Sequence, residues 1–176
     1  MLRGSSFLLS KNPAYLKGLV EWIYAQPKST WEIDVEDYEN KSKEILNLYN
    51  QINKFLLRGT TTLVTKILLG VFAITPAYDR FFKETFKEIS GKNCSFIKFN
   101  EPSLIAIYEF YKENKKEIDQ LSKEHKVINF NGEITNYHYS KAKIIDMYGF
   151  QIGRKKANQN KKEKWFSFPN PIIRKK

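Results

Sequence analysis

Apolar residues recur along this chain at helical spacing in several separate stretches, with turn-forming residues between them. Asn12 followed by Pro13 predicts a helix start, because Asn caps and Pro fits the first turn. Tyr15, Leu16, Leu19, Val20 and Ile23 follow at helical spacing, and Gln26–Pro27 ends that run. Lys28–Glu39 reads as an acidic, Trp-bearing connection. A second helix is expected over Ser42–Leu57, with Ile45, Tyr49, Ile52 and Leu56 on one face and Gly59 closing it. A third, Thr61–Phe72, is apolar almost all round and is the candidate central helix.

Thr75–Pro76 predicts the start of a fourth helix, which carries Phe82, Phe86 and Ile89 and stops at Gly91. Asn93–Asn100 reads as a loop or a single short strand. One long helix should then run from near Pro102, with Leu104, Ile107, Tyr108, Tyr111, Ile118 and Leu121 inside. Asn131–Gly132 between Phe130 and Ile134 is a two-residue hairpin signal. A last helix, Ser140–Ile152, should end at Gly153. The expected class is mostly α: a single orthogonal helical domain of about six helices over residues 1–153, with one small β-hairpin. Residues 154–176 are expected to form a basic, aromatic-bearing, partly disordered tail.

Composition narrows the function classes. A chain of 176 residues buries a core without staples. Its longest apolar run, Leu63–Ala73, is broken by Thr65 and Lys66 and is too short to span a bilayer, so no membrane partner is expected. Phe7–Leu9 is too short for a signal-peptide core, and Leu2–Leu9 reads instead as a buried helix end. A lone cysteine, Cys94, excludes an internal disulfide, and a cytoplasmic location is expected. With two histidines and eight dispersed glycines, neither a metal cluster nor a phosphate loop can be assembled, so no metal or cofactor is expected.

The formal charge of +11 points toward nucleic acid, and its distribution qualifies that. Residues 154–176 carry +8, and the first 153 residues only +3. Lys outnumbers Arg 25 to 5, which favours phosphate contacts over base reading. Part of the Lys excess also fits an AT-rich coding bias, since Asn, Ile, Tyr and Phe are abundant too. The candidate phosphate-contacting set is Arg58, Lys66, Arg80, Lys155, Lys156, Lys161 and Lys162, with Trp165 as a stacking aromatic. The same aromatics, Trp165-Phe166-Ser167-Phe168, could instead dock the tail on the body or on a partner.

Two carboxylates stand out. Asp79, in Pro76-Ala77-Tyr78-Asp79-Arg80-Phe81-Phe82, falls in the first turn of a helix, where it either stabilises the helix start or acts as a positioned base. Asp146 sits in the apolar run Ile144–Tyr148 and needs a buried partner, with Arg3, Arg58 and Arg80 as candidates. A carboxylate pair of Asp79 with Asp146 is the catalytic alternative.

Met1-Leu2-Arg3-Gly4-Ser5-Ser6-Phe7-Leu8-Leu9, Thr65-Lys66-Ile67-Leu68-Leu69-Gly70, Pro76–Phe82 and Asp146-Met147-Tyr148 together resemble a widespread bacterial helical family that has no assigned activity. The resemblance implies an N-terminally shortened form, with an exposed edge that would invite self-association or a partner chain. The Thr-bearing apolar helix, turn and Pro-led Asp79 are also similar, remotely, to the helix-hairpin-helix DNA glycosylases. That resemblance implies a base-excision role for Asp79. Where those enzymes carry a Gly-x-Gly hairpin, Leu57–Thr61 holds a single glycine. The expected function is therefore a DNA-associated helical protein with a glycosylase-like scaffold and a cleft near Asp79, Arg80, Lys66 and Arg58. The alternative is a non-enzymatic structural or protein-interaction domain in which Asp79 and Arg80 hold the fold.

Overall fold

The computed structural model describes residues 11–57, 59–91 and 94–166, with side chains as far as residue 159. It is mostly α-helical: seven α-helices and one two-stranded antiparallel sheet among the described residues. The N-terminal edge, Leu2–Leu9 and Arg3, Arg58 and the end of the tail lie outside those residues.

Asn12 caps as the sequence implies, accepting from the Ala14 amide at 2.9 Å. It opens a 3-10 turn, Pro13–Leu16, that leads into α1, Lys17–Tyr24. Two 3-10 turns, Lys28–Glu32 and Val35–Asp37, carry the chain to α2, Tyr38–Leu56. α2 starts four residues earlier than the apolar pattern predicts, because the buried Tyr38 already belongs to it. It is closed by Leu57 in a positive-φ conformation rather than by Gly59. α3, Thr61–Ile67, continues as a π-helical turn, Leu68–Phe72. Val64, Leu68 and Phe72 are buried there, which gives the segment its expected central place.

α4 covers Arg80–Ile89, later than Thr75–Pro76 predicts, since residues 75–79 run as a buried non-helical strap. Residues 94–100 hold no strand. The single long helix expected next is two, α5 (Glu101–Glu113) and α6 (Lys115–Glu124), broken at Asn114. β1, Lys126–Ile128, and β2, Ile134–His138, form a hairpin as expected, but its turn is longer than the two-residue one predicted: the Asn129 amide donates to the Glu133 carbonyl and the Gly132 amide to the Asn129 carbonyl, which makes Phe130–Gly132 the loop. Gly132 takes the positive φ that its turn requires, and the Asn129 carboxamide accepts from the Asn131 and Glu133 amides.

α7 is the largest departure. It runs from Lys141 to Phe166 and passes straight through Gly153, so the expected boundary at 153/154 falls inside one helix. Gly153 is not a stop signal; it is a contact. A Cβ there would lie 2.4 Å from the Phe81 carbonyl oxygen, and one on Gly149 would lie 2.6 Å from the Phe82 ring. These two glycines, one turn apart, let α7 press directly on α4. No single helix among the described residues is long and apolar enough to cross a membrane.

The aromatic residues converge in the core. Tyr78 stacks on Phe82 at 5.5 Å and meets Phe96 and Phe99 edge-on. The series continues through Phe86 and Phe110 to Tyr148.

Candidate functional site

The segments singled out by the sequence meet at one place. α3 lies under the strap that precedes α4. The Thr65 hydroxyl donates to the Thr61 carbonyl at 2.8 Å and accepts from the Tyr78 amide at 2.9 Å. The Thr62 hydroxyl donates to the Tyr78 carbonyl at 2.7 Å. From α7, Asp146 Oδ1 accepts from the Ala77 amide at 3.0 Å. Asp79 is the N-cap of α4 rather than a first-turn residue, and its Oδ1 accepts from the Phe82 amide at 2.9 Å. Tyr78 completes the arrangement through its own hydroxyl, which donates to Ser103 Oγ at 2.9 Å. Buried backbone cannot be left unpaired without a cost of about 1–3 kcal/mol per group. Thr62, Thr65, Asp79 and Asp146 are the side chains that meet that demand in the strap and the first turn of α4.

Of the three candidate arginines only Arg80 lies among the described residues, and it does not pair with Asp146. Among the described residues its ion-pair partner is Lys143, one turn away on α7, at 3.0 Å. Arg80 pairs instead with Glu84 at 3.1 Å on the surface of α4. Burial pushes the Asp146 carboxyl above the ordinary carboxylate range; Lys143 and the Ala77 amide pull against it, and the negative charge of Asp79 adds a smaller upward push. The two carboxylates singled out by the sequence are thus within electrostatic reach of each other, joined through the Ala77–Asp79 backbone.

Lys66 and Arg80 are exposed, while Arg58 lies outside the described residues. One open groove on the described surface lies between the end of α4 and the outer side of α5. Among the described residues no group of three or more His, Cys, Asp or Glu converges to hold a metal.

α7 gathers the remaining candidates. Arg154 and Lys155 are exposed, and Lys156 is held in an ion pair with Glu88. The side chains of Lys161, Lys162 and Trp165 lie outside the described residues, but their backbone is helical. At 100° per residue, positions 154, 155, 158, 161, 162 and 165 share one stripe of α7. Positions 149, 153 and 156 share the opposite side, where the helix meets α4.

One important residue escaped the sequence reading. Asp34 caps α7 from more than 100 positions away, accepting from the Lys141 amide at 2.8 Å and the Ala142 amide at 3.0 Å. Burial raises its pKa against the pull of those amides. Around it, Glu36, Tyr111, Lys115, Asp119 and Lys141 form a charged network. The signal was present, since Asp34 lies between Ile33 and Val35 just as Asp146 lies within an apolar run.

In comparisons with known proteins, no family model, curated protein or solved structure matches this chain.

Proposed function

We propose that this chain is a DNA-associated helical domain that grips phosphates through α7, with Asp79 serving the fold rather than chemistry. The observation that carries the reading is the stripe on α7. Arg154, Lys155, Lys161 and Lys162, with Trp165 and Asn158 between them, lie opposite the face that packs on α4. A continuous helix fixes these positions relative to the body, and the stripe from 154 to 165 spans about 17 Å. Lysine-rich stripes of this kind suit phosphates rather than base edges.

The test is binding of labelled duplex and single-stranded DNA across a salt series. Each phosphate neutralised on duplex adds roughly 0.9 to the slope of log affinity against log salt. Replacing Lys155, Lys161 and Lys162 with Gln should lower that slope by two to three. An unchanged slope, or no binding at low salt, rejects the reading.

The competing enzymatic reading keeps Asp79 as a base-excision residue; its support is the closeness of Asp146 to Asp79. Asn caps a helix about as well as Asp but cannot act as a base. Damaged-base duplexes incubated with the native chain and with Asp79→Asn separate the two readings. Excision by the native chain and not by the variant would return Asp79 to catalysis. The non-enzymatic protein-interaction reading finds support in the hairpin, where Ile128, Phe130 and Ile134 are exposed together.

A further inference from the structure

An open groove of about 480 Å³ runs beside α5. Its apolar floor is Ile89, Pro102, Ile105, Ala106 and Phe110. Ile89 remains 41% exposed, and Ile105, Ala106 and Phe110 are only half-buried. Its polar lining is Ser90 and three carboxylates, Glu101, Glu109 and Glu113. Among the described residues Glu109 pairs with Lys112 of its own helix alone and Glu113 makes no ion pair. A three-carboxylate rim is conspicuous on a chain of net charge +11.

We propose that this groove is the docking site of the chain's own C-terminal segment, Ile172-Ile173-Arg174-Lys175-Lys176, in cis. The segment is the complement of the groove: two aliphatic residues for the floor, followed by three cations for the rim. α7 touches the groove's surroundings at two points. Tyr148 packs on Phe110 at 5.4 Å, and Lys156 pairs with Glu88, the residue before Ile89. From Lys156 to Phe166 the helix advances about 15 Å. Pro169 and Pro171 are incompatible with a continuing helix and suit a reversal. The ten residues 167–176 cover up to about 33 Å when extended. That reach exceeds the about 15 Å from Phe166 back to Lys156, whose partner Glu88 adjoins the groove residue Ile89. The proposal does not depend on phosphate binding, because the stripe at 154–165 and the segment at 172–176 are separate.

The test uses the full chain and its backbone amide resonances. Replacing Ile172 and Ile173 with Ser should move the amides of Ile105, Ala106 and Phe110 while leaving those of α3 in place. The pair Glu109→Lys with Glu113→Lys should release the segment in the same way, read at the amides of Ile172 and Ile173. Adding a free peptide of residues 167–176 to the Ile-to-Ser variant should restore the groove shifts. Groove amides that do not respond to the Ile-to-Ser change overturn the proposal. Wild-type groove shifts that change with protein concentration, together with dimers in sedimentation, also overturn it by making a second copy the occupant.

Discussion

Gly153 and Gly70 make a matched test of where α7 belongs. Both lie in helical segments, and Ala there removes backbone freedom from the unfolded chain, a gain of about 1 kcal/mol in each case. At Gly70 the added methyl meets nothing within 4 Å. At Gly153 it meets the Phe81 carbonyl oxygen at 2.4 Å and the Phe81 Cα and Cβ at 2.8 Å. These obstacles are mainly backbone, so they cannot rotate away, and α7 must lift from α4. Overpacking of this kind costs about 1–3 kcal/mol, and a backbone obstacle belongs at the upper end. Gly153→Ala should therefore lose about 2 kcal/mol net, while Gly70→Ala gains up to about 1 kcal/mol. For a chain of this size, 1 kcal/mol moves Tm by about 2–4 °C, so the variants should separate by roughly 6–12 °C. Thermal and urea unfolding followed by circular dichroism measure the difference. A Gly153→Ala variant as stable as Gly70→Ala would refute the reasoning, because α7 would then leave the body before residue 153.

Thr65→Val should lose about 1–3 kcal/mol by stranding the buried Tyr78 amide, whereas Thr65→Ser should retain most of the stability; equal losses in urea unfolding would count against the strap. Asp34→Asn should also lose about 1–3 kcal/mol, since one of its two oxygens that face amide donors becomes a donor itself. Asp146 has a folded-state pKa raised above its unfolded value, so its stabilisation is complete below about pH 3.8 and declines as pH rises through the folded value. The stability advantage of the native chain over Asp146→Asn should therefore shrink from acid toward neutral pH in a denaturation series; an advantage that grows with pH would contradict burial as the dominant influence. Asp79→Ala should cost about 1 kcal/mol and Asp79→Asn much less, as read by Tm, if capping is what Asp79 does.

The sequence determined what is local. Asn12–Pro13 and Asn131–Gly132 each write a start or a turn within a few residues. Such signals act through hydrogen bonds three or four positions apart. The candidate site was legible as a set of segments, because Thr65, Pro76–Phe82 and Asp146 were already marked out in the sequence. Their use was not legible. That Asp146 serves the Ala77 amide depends on which face of α7 passes the strap. The cap supplied by Asp34 to α7 crosses 107 residues and exists only once both ends are packed. Gly153 shows the limit most plainly: within its own neighbourhood a glycine after Ile152 reads as a helix end. Only the Phe81 backbone pressing against it turns that glycine into the condition for the helix to continue. Helical propensity is worth about 1 kcal/mol at such a position, and close packing of two helices is worth more, so tertiary contact decided where the last helix ends.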